Sequence, residues 1–163
     1  MTKVTTAYYP DGYMDRVGSR GRIVSWAPQQ KVLAHPSVAC FMSHCGWNST
    51  LEGVTNGVPF LCWPYFSDQF HNATYVCDIW RTGLGLEKDE EGIITRGEIK
   101  SKVERLLGDE TYKVKALDIK EKMPLIGLTL CEREFVLAGG YNASFESINV
   151  NTHKAGHVYV TKR

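Results

Sequence analysis

The chain has 163 residues, 43% of them hydrophobic, and a formal net charge of +1. That length allows one domain with a modest core, and the balanced charge gives no basic surplus for a nucleic-acid partner. The apolar runs fall far short of the roughly 18 residues that span a bilayer, and Met1-Thr2-Lys3-Val4-Thr5-Thr6 lacks the apolar core of a signal peptide, so the expected compartment is the cytosol, with no membrane partner.

In chain order, Tyr9-Pro10-Asp11-Gly12 is a turn signal, Tyr13 to Val17 fits a short helix, and Arg22-Ile23-Val24-Ser25-Trp26 reads as a strand. Gln30-Lys31-Val32-Leu33-Ala34 is expected as a helical turn that stops before Pro36. The apolar run Val38 to Met42 predicts a strand feeding the tight turn Ser43-His44-Cys45-Gly46-Trp47-Asn48-Ser49. A helix is then expected to begin near Asn48, with Ser49-Thr50-Leu51-Glu52 as its capping box, and to stop at Asn56-Gly57 ahead of Pro59. Val58 to Pro64 has the composition of a parallel strand covered on both faces, and Tyr65-Phe66-Ser67-Asp68 is the loop beyond it.

From Asp68 to Arg81, Phe70, Ala73, Val76, Cys77 and Trp80 keep helical spacing, with Gly83 expected to close the helix and His71 expected in a solvated or packing role. Gly83-Leu84-Gly85-Leu86 predicts a short strand, and Glu87 to Gly92 a solvated acidic turn. Thr95-Arg96-Gly97-Glu98 is a second capping box, opening a helix that presents Ile99, Val103, Leu106 and Leu107 on one face and ends at Gly108. A last helix is expected from Thr111 to Met123, with Pro124 preventing its continuation. This alternation of strand and helix predicts an α/β fold, a Rossmann-like parallel sheet flanked by helices.

The turn at His44 carries the chemistry. A helix that starts directly after a buried strand aims free backbone N–H groups and its positive dipole end at one spot, which favours an anion such as a phosphate or diphosphate. Gly46 allows close approach there, and His44, Asn48 and Ser49 add donors. Neither G-x-G-x-x-G nor G-x-x-x-x-G-K-[ST] is present, so this is not a dinucleotide fingerprint or a P-loop. The five cysteines, Cys40, Cys45, Cys62, Cys77 and Cys131, show no metal-site spacing and are expected as buried thiols. His153 and His157 likewise form no ligand set. N-x-[ST] triplets occur at Asn48, Asn72 and Asn142, the first inside the proposed phosphate turn where a glycan would not fit.

The stretch Trp26 to Gln69 resembles the signature box of the plant secondary-product UDP-glycosyltransferases, enzymes of GT-B type. The match runs through Trp26-Ala27-Pro28-Gln29, Leu33, His35, Phe41, His44-Cys45-Gly46-Trp47-Asn48-Ser49, Glu52, Gly57-Val58-Pro59, Pro64 and Asp68-Gln69, in register over about forty-four residues. The resemblance implies that Trp26 stacks on uracil while the backbone of Ala27 bonds its edge. Gln29 and Glu52 would hold the ribose hydroxyls; His44, Asn48 and Ser49 the diphosphate; and Trp47, Asp68 and Gln69 the sugar. Gln at the closing position implies UDP-glucose rather than UDP-galactose. It also implies no cofactor and no metal, with UDP-glucose as donor substrate and a small lipophilic acceptor.

Two departures from that family pattern shape the expectations. Its members are more than twice as long and place an acceptor domain, with the general-base His, ahead of the donor domain, so no catalytic residue is assigned here. The expected organisation is a lead segment over 1–21, a partial donor-binding domain over 22–123 and a divergent, loosely ordered tail over 124–163. A sheet without its opening strands would present an unpaired edge. Three readings therefore stay open: a glucose-transferring enzyme, a UDP-sugar-binding fragment without catalysis, or a structural or misfolded fragment with no ligand.

Overall fold

The computed structural model describes residues 11–18, 21, 24, 26–132 and 158–161. A short helix α1, Tyr13–Val17, is followed by α2, Gln29–Leu33, and then by strand β1, Val38–Ser43. Helix α3, Trp47–Thr55, leads to β2, Phe60–Cys62; α4, Gln69–Thr74, continues into a π-helical turn, Tyr75–Ile79, and then β3, Gly83–Gly85. Helices α5, Arg96–Gly108, and α6, Thr111–Glu132, follow, with a last strand β4, Val158–Thr161.

The sheet order is β3-β2-β1-β4. β1, β2 and β3 run parallel, as their apolar composition predicts, with Phe41 opposite Phe60 and Cys62 opposite Gly85. Those two phenylalanine rings meet at 5.6 Å between centroids, and both side chains are fully buried. Around them Leu33, Val54, Val58, Val76 and Met123 complete one apolar core. Each such side chain withdrawn from water contributes about 1.5–3 kcal/mol before conformational entropy is counted. Helix α3 rests directly on this layer because Gly53 lacks a side chain: a Cβ there would lie 2.2 Å from the Phe60 ring.

The end of α3 follows its sequence signal. Gly57 takes φ +64, and the amides of Gly57 and Val58 donate to the carbonyls of Val54 and Gly53 at 2.9 and 3.1 Å, a Schellman arrangement. The Lys113 ammonium of α6 also donates to the Gly57 carbonyl at 2.8 Å, which fastens α6 to this corner.

Several expectations are corrected. Arg81, not Gly83, reverses the chain after the helix of residues 69–79: it takes φ +54, and the Thr82 amide reaches back to the Val76 carbonyl at 2.9 Å. The extra residue in the π-helical turn shifts the closing position away from the glycine. Helix α6 runs through Pro124 and across the expected boundary at Met123. One interior proline costs about 3 kcal/mol, and this helix absorbs it. The free edge of β1 is covered by β4, which pairs antiparallel to it, so the sheet is not wholly parallel and this edge is not bare. Val158-Tyr159-Val160-Thr161 is rich in β-branched and aromatic residues, the composition that suits such an edge, and these four tail residues are ordered as strand. Val24 and Trp26 lie outside any strand, and the rest of the strand expected there falls outside the described residues, as do Asn142, His153 and His157.

Candidate functional site

The turn after β1 is shaped by its own short-range bonds. The Ser43 hydroxyl, buried, accepts the Cys45 amide at 3.0 Å, and Cys45 takes φ +63, which turns the chain sharply. Gly46 then becomes the N-cap of α3 in an extended conformation, and no side chain caps the helix. A Cβ on Gly46 would sit 2.3 Å from His44 Nε2, so the imidazole is folded onto the helix start and only glycine fits beneath it.

The capping box expected at Ser49 and Glu52 is not formed, because the left-handed Cys45 starts the helix at Trp47 and places Ser49 already inside the first turn. There the same three-residue spacing puts Ser49 and Glu52 on one helix face. Gln29 of α2 clasps both: its Nε2 donates to Ser49 Oγ at 3.1 Å and to Glu52 Oε2 at 2.6 Å. Gln29, some twenty residues earlier in the chain, thus joins two neighbours on α3 in one polar cluster. Ser49 is buried in it, while Gln29 and Glu52 remain half-buried.

On the other side of the turn stands the start of α4. Asn72 is buried and donates from Nδ2 to the Cys45 carbonyl and to Asp68 Oδ2, both at 2.9 Å. Asp68 is thereby fixed next to the His44 turn. Gln69, also buried, accepts the Tyr65 and Phe66 amides on its Oε1 at 3.0 and 3.1 Å, which orders the loop after β2 and leaves its amide nitrogen as the end able to donate elsewhere. Tyr65 packs near the His44 ring, 6.4 Å between centroids. Burial holds the His44 pKa below its ordinary 6.5, with the Asp68 carboxylate pulling in the opposite direction. At neutral pH His44 is therefore a neutral imidazole that can donate one hydrogen bond.

Of the remaining candidates, Trp47 is half-buried and Asn48 exposed at the start of α3, Ala27 is half-buried ahead of α2, and Trp26 beside it is 76% exposed. Sequence reasoning missed Asn72 as a positioning group and saw it only as a glycosylation triplet. Its burial and its two bonds exclude a glycan in this fold, and its i+4 spacing from Asp68 was the available signal. His71 is exposed and packs edge-on against Tyr75, as expected of a non-ligand. Cys40, Cys45 and Cys62 are buried free thiols, and Cys77 is half-buried. Among the described residues no group of His, Cys, Asp or Glu is arranged to hold a metal ion. None of the described helices is long and apolar enough to cross a membrane.

Comparison with known proteins decides the family. The model of the UDP-glucoronosyl and UDP-glucosyl transferases matches residues 9–123. The chain belongs to this family. It is 52% identical over 108 residues to UDP-glycosyltransferase 83A1 of Arabidopsis thaliana, a match covering 65% of this chain and 23% of the relative. Among solved structures it is similar to Phytolacca americana UGT2 complexed with UDP-2fluoro-glucose and pterostilbene, with TM-score 0.66, 39% identity, and 69% and 27% of the two chains covered. It is also similar to Os79 from O. sativa in complex with UDP and deoxynivalenol-3-glucoside, with TM-score 0.65, 38% identity, and 66% and 26% covered. The fold is part of a GT-B glycosyltransferase, and the matched region spans about a quarter of the length of these relatives.

Proposed function

We propose that this chain is the UDP-sugar donor-binding part, the carboxyl-terminal half, of a family 1 glycosyltransferase that moves glucose from UDP-glucose to a hydroxyl or carboxyl of a small lipophilic acceptor. The observation that carries the reading is the convergence of Gln29, Ser49 and Glu52 beside a helix start that no side chain caps. A half-buried carboxylate and amide are suited to a pair of ribose hydroxyls, and the helix start next to neutral His44 to a diphosphate. In this reading Asn48 and Ser49 help to hold the diphosphate. Exposed Trp26 supplies a face for uracil, worth about 1–3 kcal/mol by analogy with base stacking, and the Ala27 backbone meets the base edge. Trp47, Asp68 and Gln69 contact the glucose.

The chemical contribution of these residues is electrostatic. As the bond between the anomeric carbon and the diphosphate breaks, negative charge grows on the leaving UDP, and the amides at the start of α3 with the His44 N–H stabilise it. The reading assigns no cofactor or metal to the step; UDP-glucose is the donor substrate. Two relatives with UDP or UDP-2fluoro-glucose in their structures support the donor class, and the pterostilbene and deoxynivalenol-3-glucoside beside them support the acceptor class.

The second reading is a UDP-sugar-binding fragment without catalysis; the groups joined at the candidate site, Gln29, Ser49 and Glu52, are ones this reading needs as much as the first. Incubating the chain with UDP-glucose labelled in the sugar and a panel of phenolic and terpenoid acceptors separates the two. Saturable donor binding with labelled glycoside establishes the enzyme; binding with no glycoside establishes the fragment; no binding by the folded chain refutes both.

A further inference from the structure

Three thiols meet beneath the turn after β1, at the ends of β1 and β2. Cys62, at the end of β2, is fully buried, and its side chain interacts with those of Cys45 and Cys77. Cys62 and Gly85 are register partners on β2 and β3, and the Cys77 sulfur lies 4.0 Å from the point where a Cβ on Gly85 would be. Cys77 therefore rests over the position beside Cys62, and the missing side chain at Gly85 keeps the space around the two sulfurs open. Cys77 sits at the middle of the π-helical turn, a wider turn than its neighbours and common where helices carry function. Unlike Cys62, Cys77 is only half-buried and lines a cavity of about 760 Å³ along the edge of β3, whose charged lining is mixed, with Arg81, Lys102 and Arg105 beside Asp78, Glu87 and Asp109. An oxidant entering this cavity reaches Cys77 first.

We propose that Cys77 is a modification site for peroxide-type oxidants and that Cys62 resolves the oxidised sulfur as a Cys62–Cys77 disulfide. In the first step the Cys77 thiolate attacks one peroxide oxygen, the O–O bond breaks, and a sulfenic acid and one water result. In the second the Cys62 sulfur attacks the Cys77 sulfur, the S–O bond breaks, and the departing hydroxide takes the Cys62 proton as a second water. Two thiols lose two electrons to one hydrogen peroxide. The side-chain bond to Cys62 holds the Cys77 thiol below its ordinary pKa against burial and the Asp78 carboxylate, with Lys102 adding to the lowering, whereas burial pushes Cys40 up to about 12. Cys45 is fully enclosed at the phosphate turn and has no comparable access.

The test treats the full chain in native buffer with about ten equivalents of hydrogen peroxide, removes the excess with catalase, blocks remaining thiols with N-ethylmaleimide and maps disulfides by mass spectrometry. Chymotrypsin is the protease of choice, since Tyr65, Phe66, Phe70 and Tyr75 lie between the two cysteines. The expected result is a dithiothreitol-reversible Cys62–Cys77 link at least about ten-fold above any other pair, lost in Cys77→Ser. In Cys62→Ala the oxidation is expected to stop at a Cys77 sulfenic acid that dimedone captures; should that variant not fold, the wild type and Cys77→Ser decide. A Cys77 sulfinic acid with Cys62 still reduced, a link through Cys40, Cys45 or Cys131, or an unreacted Cys77 would overturn the proposal.

Discussion

His44 and Gln29 show how single residues in this site are set by their surroundings rather than by their type. Burial lowers the His44 pKa and Asp68 opposes it, so replacing Asp68 by Asn removes the opposing pull. The His44 pKa in Asp68→Asn is expected to fall further below 6.5, measured from the imidazole carbon protons by NMR titration; an unchanged value contradicts the pairing. The sign for stability follows from the depressed value: the contribution is complete above about pH 6.5, where both states are neutral, and declines as pH falls and the unfolded chain takes up the proton more readily. Gln29→Ala removes the donor shared by Ser49 and Glu52 and leaves their oxygens to other partners. Loss of two hydrogen bonds, one to a charged acceptor, is worth about 2–3 kcal/mol if the cluster holds the donor nucleotide. A weakening of UDP-glucose binding on the order of 30- to 150-fold is therefore expected, read by calorimetry at pH 7.

The elements were largely legible where sequence and packing agree. Parallel strands over Val38–Ser43 and Phe60–Cys62 follow from apolar runs, and α3 stops where Asn56 and Gly57 say it should. The start of α3 was legible to within one residue, but its cap was not, because Ser49-x-x-Glu52 satisfies a capping pattern that serves equally as one face of a helix already begun. Only the left-handed Cys45 distinguishes the two, and a cysteine gives no sequence signal for that backbone state. A similar ambiguity affected α6, where the proline rule concerns one hydrogen bond and the surrounding helix outlasts it. The second capping box is half-formed: the Glu98 amide donates to Thr95 Oγ1 at 3.1 Å, but the Glu98 carboxylate accepts the Glu87 amide at 3.0 Å. At this scale Gly53 is the most sensitive position, since α3 meets the Phe60 ring through it. Gly53→Ala is expected to destabilise the fold by about 1–3 kcal/mol despite the better helix propensity of alanine, seen as a lower urea midpoint. A stabilised variant would show that α3 does not rest on Phe60.

At the scale of the molecule, the sheet places both halves of the candidate site at the carboxyl ends of β1 and β2, the turn of α3 on one and the loop before α4 on the other. Open α/β sheets bind ligands at that end, which suits the proposed nucleotide site. Gln29, Ser49 and Glu52 were named from the family pattern and are joined by hydrogen bonds; the role of Asn72, which ties the two halves together, was not legible, because it depends on a carbonyl contributed by another element. The antiparallel β4 also escaped the sequence reading, since four residues carry too little periodicity to place a strand. The central claim, a nucleoside diphosphate held between exposed Trp26 and the His44 turn, is tested most directly by calorimetric titration of UDP into the folded chain and into Trp26→Ala. The account predicts saturable one-to-one binding, unchanged by a metal chelator and weakened about 5- to 150-fold in Trp26→Ala. Absence of saturable binding to a chain shown to be folded by circular dichroism, or equal affinity in Trp26→Ala, would contradict it.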